Sequence, residues 1–317
     1  MVSIGTDITS GPTIYGIMTI RGMGGAGRYC QNNSVYVGGT KTSGDVTSVA
    51  YFNLGNGSSF GGYMLEIVDN IFVNMRTNSG SATGGNYSAR ISAQHYSRSN
   101  LFYGTGNGYV MSGTPTTDIP TLAQINALSS TESPSFFGNP QFISPTNLHI
   151  KPSTPTIIES RGYGNLQYVP VLVDIDNQTR TDFSPNDIGA DAGNFLPLSV
   201  PTISGFSATS ICSNTTFTIN GSNFYDVTSV RVGSTNVPFT ISSPTQILVT
   251  PPAADLSGQV SIENLAGSAT SSQTMTITAI PVITSQPQSV TTCPGNVSFS
   301  VVANNVGTYQ WRRDSVN

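Results

Sequence analysis

Three short segments of the chain share one pattern: an Asn, then a few residues with high strand propensity, then Gly or Asn. They lie at residues 33–38, 70–74 and 100–104, and each follows a second strand-prone run, at residues 14–20, 48–52 and 87–92. Two strands per copy, recurring at roughly 30 residues, predict a coil of stacked rungs, because no copy can bury its apolar side alone.

The composition supports an all-β fold class. Charged residues make up only 9% of the 317 residues, and polarity comes instead from Ser, Thr, Asn and 33 glycines. Uncharged polar residues interleaved with β-branched and aromatic residues favour strands and turns over helices.

Charge and hydropathy exclude two classes of partner. The net charge is −4 and the 12 basic residues are thinly spread, so no basic patch is available for nucleic acid. No apolar run reaches the roughly 18 residues of a membrane span. The first twenty residues lack the pattern of a signal peptide. We expect a secreted monomer on the bacterial cell surface, with earlier rungs and a secretion signal outside this segment.

The three cysteines, Cys30, Cys212 and Cys293, lie far apart in the sequence. Their spacing fits no zinc site. The only histidines, His95 and His149, are distant from them in sequence, which disfavours a catalytic thiol.

The leading Asn of each copy has two interpretations. It can stack on its equivalents in an internal ladder, or it can face solvent and bind sugar. We favour the ladder, since Asn tolerates left-handed turns and side-chain ladders recur in stacked strands.

The rungs at residues 1–112 resemble the right-handed parallel β-helix of bacterial secreted proteins, which pectate lyases share. A lyase of that kind would need clustered carboxylates for Ca²⁺ and a base. Glu66 and Asp69 are the only close acidic pair here, and we interpret them as solvated groups near a turn. Four tyrosines are candidates for glycan contact, although a core position is favoured for each: Tyr36, Tyr51, Tyr63 and Tyr103.

Residues 113–198 read as a closing segment of the coil. A short helix is predicted, capped by Thr117 or Asp118, with Pro120 in its first turn and its end near Ser129.

Two later stretches of this segment, residues 174–180 and 185–191, resemble the end of a β-helix domain in bacterial surface proteins. That ending has the form DIDG-x-x-R, followed by PDIGA, then Tyr or Asp, and then Glu. The chain departs from it at Asn177, where Gly is usual, and at Ala192, where Glu is usual.

The same stretches are rich in acid: Asp174, Asp176, Asp182, Asp187 and Asp191. One interpretation is a Ca²⁺ site, with Asp174, Asp176 and Asp187 as candidate ligands. The other is that Arg180 and backbone amides pair with these carboxylates and pin the last rung. We favour the second, because no complete EF-hand loop follows, and we expect no metal or other cofactor.

Residues 199–279 contain seven strand-like runs at short, regular spacing, which predicts a β-sandwich. The runs are 202–206, 215–220, 229–232, 237–241, 246–250, 259–263 and 272–278. Residues 217–224 (FTINGSNF), 230–233 (VRVG) and 246–249 (QILV) resemble an IPT/TIG immunoglobulin-like domain. Cys212 is predicted to be a buried or half-buried thiol.

In residues 280–317, Cys293 precedes alternating Val297, Phe299 and Val301, and Trp311 follows. This resembles the first half of an immunoglobulin-type domain, with the partner of Cys293 outside the chain. A segment this short cannot build such a core by itself, so we expect poor packing.

The favoured function is adhesion and display, in which the coil binds polysaccharide or another surface, including another cell-surface protein. The first alternative is a polysaccharide lyase or glycoside hydrolase, which needs converging carboxylates or an acidic Ca²⁺ site with a base. The second is a structural spacer, which predicts neither a groove nor an aromatic face.

Overall fold

The computed structural model describes residues 1–6, 8–9, 13–20, 28–54, 65–91, 95–114, 116–128, 134–163, 170–183 and 186–312, the side chains of residues 20, 28, 54 and 128 excepted. The chain divides into two units, Met1–Ser199 and Val200–Asn317. Almost all of its regular structure is β-strand. None of the described helices has the length and apolarity of a membrane span.

The first unit contains 17 described strands, one α-helix and one 3-10 helix. The helices are α1 (Leu122–Leu128) and the 3-10 helix Arg180–Asp182. The strands are β1 (Val2–Ile4), β2 (Ile14–Ile20), β3 (Arg28–Gln31), β4 (Ser34–Val37), β5 (Thr40–Lys41), β6 (Ser48–Leu54), β7 (Leu65–Val68), β8 (Ile71–Asn74), β9 (Thr77–Asn78), β10 (Asn86–Ile91), β11 (His95–Arg98), β12 (Leu101–Tyr103), β13 (Tyr109–Gly113), β14 (Asp118–Ile119), β15 (Phe136–Phe137), β16 (Phe142–Ser144) and β17 (Asn147–Ile150).

The three Asn-headed segments become adjacent strands of one parallel sheet, in the order β1-β4-β8-β12-β15. Their register places Val35 beside Phe72 and Phe72 beside Phe102. The preceding runs form a second sheet, β14-β13-β10-β6-β2, which is parallel except for the β13–β14 pair. A third parallel sheet, β11-β7-β3, was not predicted. Within the described residues the three sheets are separate and do not close on one another.

One apolar core is shared by strands of all three sheets. Tyr51 is fully buried, and its ring stacks on Phe72 with centroids 5.0 Å apart. Phe72 in turn lies 6.0 Å from Phe102. Gly16 on the second sheet allows close packing against Val35 of the first sheet and Ala50 of the neighbouring strand. A Cβ at this position would lie 2.5 Å from Val35 Cγ1 and 2.6 Å from the Ala50 carbonyl oxygen.

Helix α1 begins later than predicted. Thr121 and Gln124 form a capping box: the Gln124 amide donates to Thr121 Oγ1 (3.3 Å), and the Thr121 amide donates to Gln124 Oε1 (3.2 Å). The predicted cap at Thr117 or Asp118 is wrong, because Asp118 pairs with β13 as part of strand β14. The predicted end near Ser129 agrees with the last helical residue, Leu128.

The second unit contains two sheets around its own apolar core. Its strands are β18 (Thr202–Phe206), β19 (Ser210–Cys212), β20 (Phe217–Ser222), β21 (Val227–Val232), β22 (Thr235–Asn236), β23 (Phe239–Ser243), β24 (Gln246–Val249), β25 (Leu256–Asn264), β26 (Gly267–Thr278), β27 (Val282–Ser285) and β28 (Val302–Asn304).

The sheets of this sandwich have the orders β18-β20-β24-β23 and β19-β26-β25-β21-β22. Alternate residues of both sheets face inward, such as Phe217 and Ile247 from one and Val260 and Met275 from the other, all at most 1% exposed. The predicted burial of Cys212 is wrong: the residue ends strand β19, which pairs only with β26, and its side chain is exposed.

The tail beyond residue 279 forms only a two-stranded hairpin, β27 with β28. The strand predicted at residues 297–301 is absent; the strand there begins at Val302. No described residue from 280 to 312 is buried. Phe299 and Trp311 are 53% and 54% exposed with ring centroids 6.3 Å apart, and Cys293 is exposed. The expectation of poor packing agrees with this exposure.

Asp226 makes the second unit sensitive to pH. It sits at φ 48° before β21, burial raises its pKa to about 6, and its Oδ2 has no hydrogen-bond partner within the described part of the chain. The folded state binds this proton more tightly than the unfolded state does. The contribution of Asp226 to the free energy of unfolding is therefore most favourable below the pKa of the unfolded state, and it is lost as the pH rises through 6. Asparagine tolerates the left-handed backbone at this position. The variant Asp226→Asn should therefore stabilise the unit by about 2 kcal/mol at pH 7 and by almost nothing at pH 4.

Calorimetric unfolding of the full chain at several pH values measures this difference. The control is Asp255→Asn, because Asp255 is exposed and its Oδ1, which accepts from the Ala279 amide at 2.7 Å, is kept. An Asp226→Asn effect that does not change with pH would contradict the prediction.

Candidate functional site

Residues 174–177 form an acidic turn that the Asp174 side chain and nearby backbone amides hold together. Asp174 Oδ1 accepts from the amides of Asp176 (2.9 Å) and Gln178 (2.8 Å), and Val173 bridges to Thr179. Asn177 has φ 63°, which explains why Gly is usual there in the ending that this segment resembles. These bonds therefore hold the turn in one conformation and fix the position of Asp176.

Arg180 joins this turn to the segment at residues 189–190. Its Nη2 donates to the carbonyls of Gly189 (2.8 Å) and Ala190 (2.9 Å). Burial lowers the pKa of the guanidinium, and nearby aspartates, Asp174 foremost, oppose that shift. Arg180 thus supplies the positive charge of an otherwise acidic, buried region.

The other buried aspartates accept backbone amides. Asp187 takes those of Ser160 (2.9 Å) and Gly193 (3.0 Å), and burial raises its pKa to about 6. Asp191 Oδ2 takes the amide of Ile150 (2.8 Å). The candidate Ca²⁺ ligands do not form one group: among the described residues, Asp176 groups instead with His149 and Asp191.

His149 stands beside an open cavity of about 370 Å³ in the first unit. Strand β17 alternates, so Leu148 and Ile150 point inward while Asn147 and His149 point outward. His149 Nε2 lies 3.2 Å from Asp176 Oδ2. The cavity is also lined by Met1, Ser3, Thr146, Asn147 and Leu148.

The leading asparagines form an internal ladder, as predicted. Asn70 Nδ2 donates to the Cys30 carbonyl (2.7 Å) and to Asn100 Oδ1 (2.9 Å), and Asn70 Oδ1 accepts from the amide and side chain of Asn33. Asn70 and Asn100 are fully buried, so they are not available to a sugar. Burial raises the pKa of the neighbouring Cys30 thiol to about 12, which keeps it protonated at neutral pH.

Neither member of the acidic pair Glu66 and Asp69 is the fully solvated group that was expected, since Glu66 Oε2 is also buried. Asp69 is buried, contrary to the expectation of a solvated group, and its Oδ1 accepts the Tyr163 amide at 2.6 Å. Glu66 lies on β7, where it pairs with Tyr96 and Tyr29 of neighbouring strands.

A second apolar cluster lies on the sheet β14-β13-β10-β6-β2. Val49, Phe52 and Tyr87 are buried in it, with Tyr15 and Val110 packed against them. None of these residues belongs to the main core. On β6 the core residues Ala50 and Tyr51 lie between Val49 and Phe52, so the strand does not alternate strictly there, and the cluster is separate from the core. We call it the aromatic face.

The aromatic face is ordered by strand register. Tyr15, Val49, Tyr87 and Val110 form one row across four parallel strands. The rings of Tyr15 and Phe52 stack with centroids 4.8 Å apart.

Polar groups adjoin this row. Tyr87 donates its hydroxyl to Asp118 Oδ1 at 2.7 Å, and the Arg90 guanidinium lies 4.9 Å from the centre of the Tyr87 ring. Met18 is 41% exposed on the same sheet.

The tyrosines selected from the sequence lie elsewhere. Tyr51 is in the core; Tyr36 and Tyr103 are half-buried on the first sheet; Tyr63 lies outside the described residues. Tyr15 and Tyr87 were missed. Tyr15 alternates with the core residue Ile14, which was a usable signal, but Tyr87 lies two positions from the core residue Ala89, so a period of two does not separate them.

Residues 201–279 match the IPT/TIG domain family, which accounts for the sandwich of the second unit. No curated protein matches the chain.

Two solved structures with partial likeness come from Bacteroides. SGBP-B from a complex xyloglucan utilization locus in Bacteroides uniformis is 25% identical, over 26% of this chain and 25% of that one, with a TM-score of 0.22. SGBP-B of the Bacteroides ovatus mixed-linkage glucan utilization locus, in complex with a mixed-linkage heptasaccharide, is 21% identical over 39% and 33%, with a TM-score of 0.21. The chain thus spans a third or less of the length of these proteins.

Proposed function

We propose that the chain is part of an extracellular polysaccharide-binding protein that acts in adhesion or display at a bacterial surface. In this proposal residues 1–198 form a right-handed parallel β-helix, residues 199–279 are an IPT/TIG spacer, and residues 280–317 begin a further immunoglobulin-like domain. The parallel, in-register pairing of successive copies supports the β-helix.

The observation that carries the binding function is the aromatic face. A pyranose presents an apolar face of C–H groups and an edge of hydroxyls, so it suits a stacked aromatic surface with polar groups at its side. Tyr15 is partly exposed and supplies the ring surface, while Phe52, on which its ring stacks, is buried. Arg90 and Asp118 supply a donor and an acceptor for hydroxyls.

Equivalent positions recur on neighbouring strands of this sheet, which suits a polymer rather than a single sugar. Tyr15, Tyr87 and Val110 recur in one row across strands that are separated by about 4.8 Å each. Tyr15 and Val110 are partly exposed, while Val49 and Tyr87 between them are buried. A linear polysaccharide along this row would make weak contacts at the two partly exposed positions, which add through multivalency. Because only 9% of the residues are charged, we expect a neutral or weakly charged polymer.

The test is affinity electrophoresis of the full chain in soluble β-glucans and pectins, with reducing ends measured in parallel. We expect retardation by at least one polymer without release of reducing ends. Tyr15→Ala should weaken binding roughly tenfold, as expected for loss of one aromatic contact.

The matched control is Tyr36→Ala, a half-buried tyrosine on the other large sheet, which should bind as the unaltered protein does. If Tyr15→Ala and Tyr36→Ala lose polysaccharide affinity equally, the aromatic face is not the binding surface. Release of reducing ends would support a lyase or hydrolase, and absence of binding to every polymer would support a spacer.

A further inference from the structure

Three chain segments bring metal-binding side chains to one point. His149 comes from β17, Asp176 from the acidic turn, and Asp191 from the segment after Arg180. One ligand atom of each lies within 4.8 Å of the others. The three side chains are half-buried, exposed and buried, respectively, so the group is open on one side only.

The imidazole is oriented for metal binding through Nε2. Asn147 Oδ1 accepts the His149 backbone amide (3.2 Å) and lies 2.6 Å from His149 Nδ1. Since the amide fixes this Asn147 atom as an oxygen, Nδ1 must carry a proton to bond it. With Nδ1 bonded to Asn147, Nε2 is directed at Asp176 Oδ2, which is 3.2 Å away. A hydrogen bond of this kind at the other ring nitrogen is the usual support of a metal-binding histidine.

Nε2 lies within hydrogen-bond distance of both Asp176 oxygens, so this contact holds either a proton, which pairs an imidazolium with the carboxylate, or a metal ion in its place. Asp191 adds a second carboxylate to the group. One of its oxygens accepts the Ile150 amide, and the other remains for a ligand. The spacing is also suitable: ligands about 2.1 Å from a tetrahedral zinc ion lie about 3.4 Å from each other. The distance from His149 Nε2 to Asp176 Oδ2 already approaches this value.

A buried carboxylate oxygen near the group lacks a hydrogen-bond partner among the described residues, and Arg180 acts on that carboxylate through its charge. Asp174 is 7% exposed, and its Oδ2 has no hydrogen-bond partner in the described part of the chain. Its charge acts on Asp191. A carboxylate oxygen this buried is normally paired, and its neighbour Oδ1 is already occupied by two amides.

We propose that His149, Asp176 and Asp191 bind one divalent transition-metal ion of the zinc class, with Asp174 adjacent to it. An imidazole nitrogen favours zinc over Ca²⁺ or Mg²⁺, which take oxygen ligands. The ion would tie β17 to two segments 27 and 42 residues further along the chain (149 to 176 and 149 to 191). Its role is structural: it fixes the acidic turn against the sheet.

Isothermal titration of the chelator-treated full chain with Zn²⁺ tests the proposal. We expect one site with a dissociation constant in the micromolar range or below, and at least tenfold weaker binding of Ca²⁺. His149→Ala and Asp176→Asn should each weaken Zn²⁺ binding at least tenfold. Both side chains have exposed surface, so the variants should fold, which circular dichroism checks.

The control variant is Asp182→Asn, an exposed aspartate in the same segment, which should bind Zn²⁺ as the unaltered protein does. Co²⁺ provides a second measurement, because its visible absorption band reports four- or five-coordinate binding and should vanish in His149→Ala. Absence of Zn²⁺ binding, equal binding by His149→Ala, or a preference for Ca²⁺ would overturn the proposal.

Discussion

Replacement of Arg180 by methionine is expected to destabilise the first unit by about 3–5 kcal/mol, the usual cost of leaving buried charges unpaired. The variant removes two bonds to the carbonyls of Gly189 and Ala190. It also removes the cation nearest to Asp174, Asp187 and Asp191. Methionine fills a similar volume, so the loss reports charge and hydrogen bonding rather than a cavity.

Urea unfolding of the full chain, followed by circular dichroism, measures this effect. Lys151→Met is the control, since Lys151 is exposed and should change the free energy of unfolding by less than about 0.5 kcal/mol. The free energy of unfolding of Arg180→Lys should lie between those of Arg180→Met and Lys151→Met. The lysine ammonium keeps the positive charge but cannot reproduce the planar guanidinium that bonds two carbonyls. A methionine variant as stable as the control would show that the aspartates do not need Arg180.

Replacement of Asn70 by alanine is expected to cost about 2–4 kcal/mol, because it leaves several buried polar groups without partners. These include the Cys30 carbonyl and the Asn33 amide. Asn100 Oδ1 loses the Asn70 side-chain donor but keeps the Asn70 backbone amide. Asn70→Asp should be at least as destabilising, since a carboxylate cannot donate to the carbonyls of Cys30 and Val68.

Asn194→Ala is the matched control for the ladder, because Asn194 is exposed in the same unit. Thermal unfolding of the three variants distinguishes a buried ladder from a solvent-facing row of asparagines. If Asn70→Ala and Asn194→Ala have the same midpoint, the ladder does not stabilise the unit.

Much of the local structure could be predicted from the sequence, because it depends on neighbouring residues. The Asn-headed strands follow from strand propensity. The left-handed residue is the one before each leading Asn, namely Asn32, Asp69 and Ser99 with φ of 51°, 55° and 48°, and not the leading Asn itself. The strands of the IPT/TIG sandwich follow from period-two burial, with shifts of a few residues at their ends.

The rest depends on contacts between distant residues. The position of helix α1 was decided by pairing of Asp118 with β13 and by the Thr121–Gln124 capping box. Two members of the His149 group are 27 residues apart, and neither residue type nor local spacing links them. The aromatic face required the register of four strands, which propensity alone does not supply.

The central claim is that successive copies lie side by side as parallel, in-register strands, and nuclear Overhauser contacts test it most directly. In a deuterated, amide-protonated sample of the full chain, β4, β8 and β12 should show amide contacts linking Val35 to Phe72 and Phe72 to Phe102. Contacts that run in opposite directions along neighbouring strands, or that shift the three segments out of this register, would contradict the account.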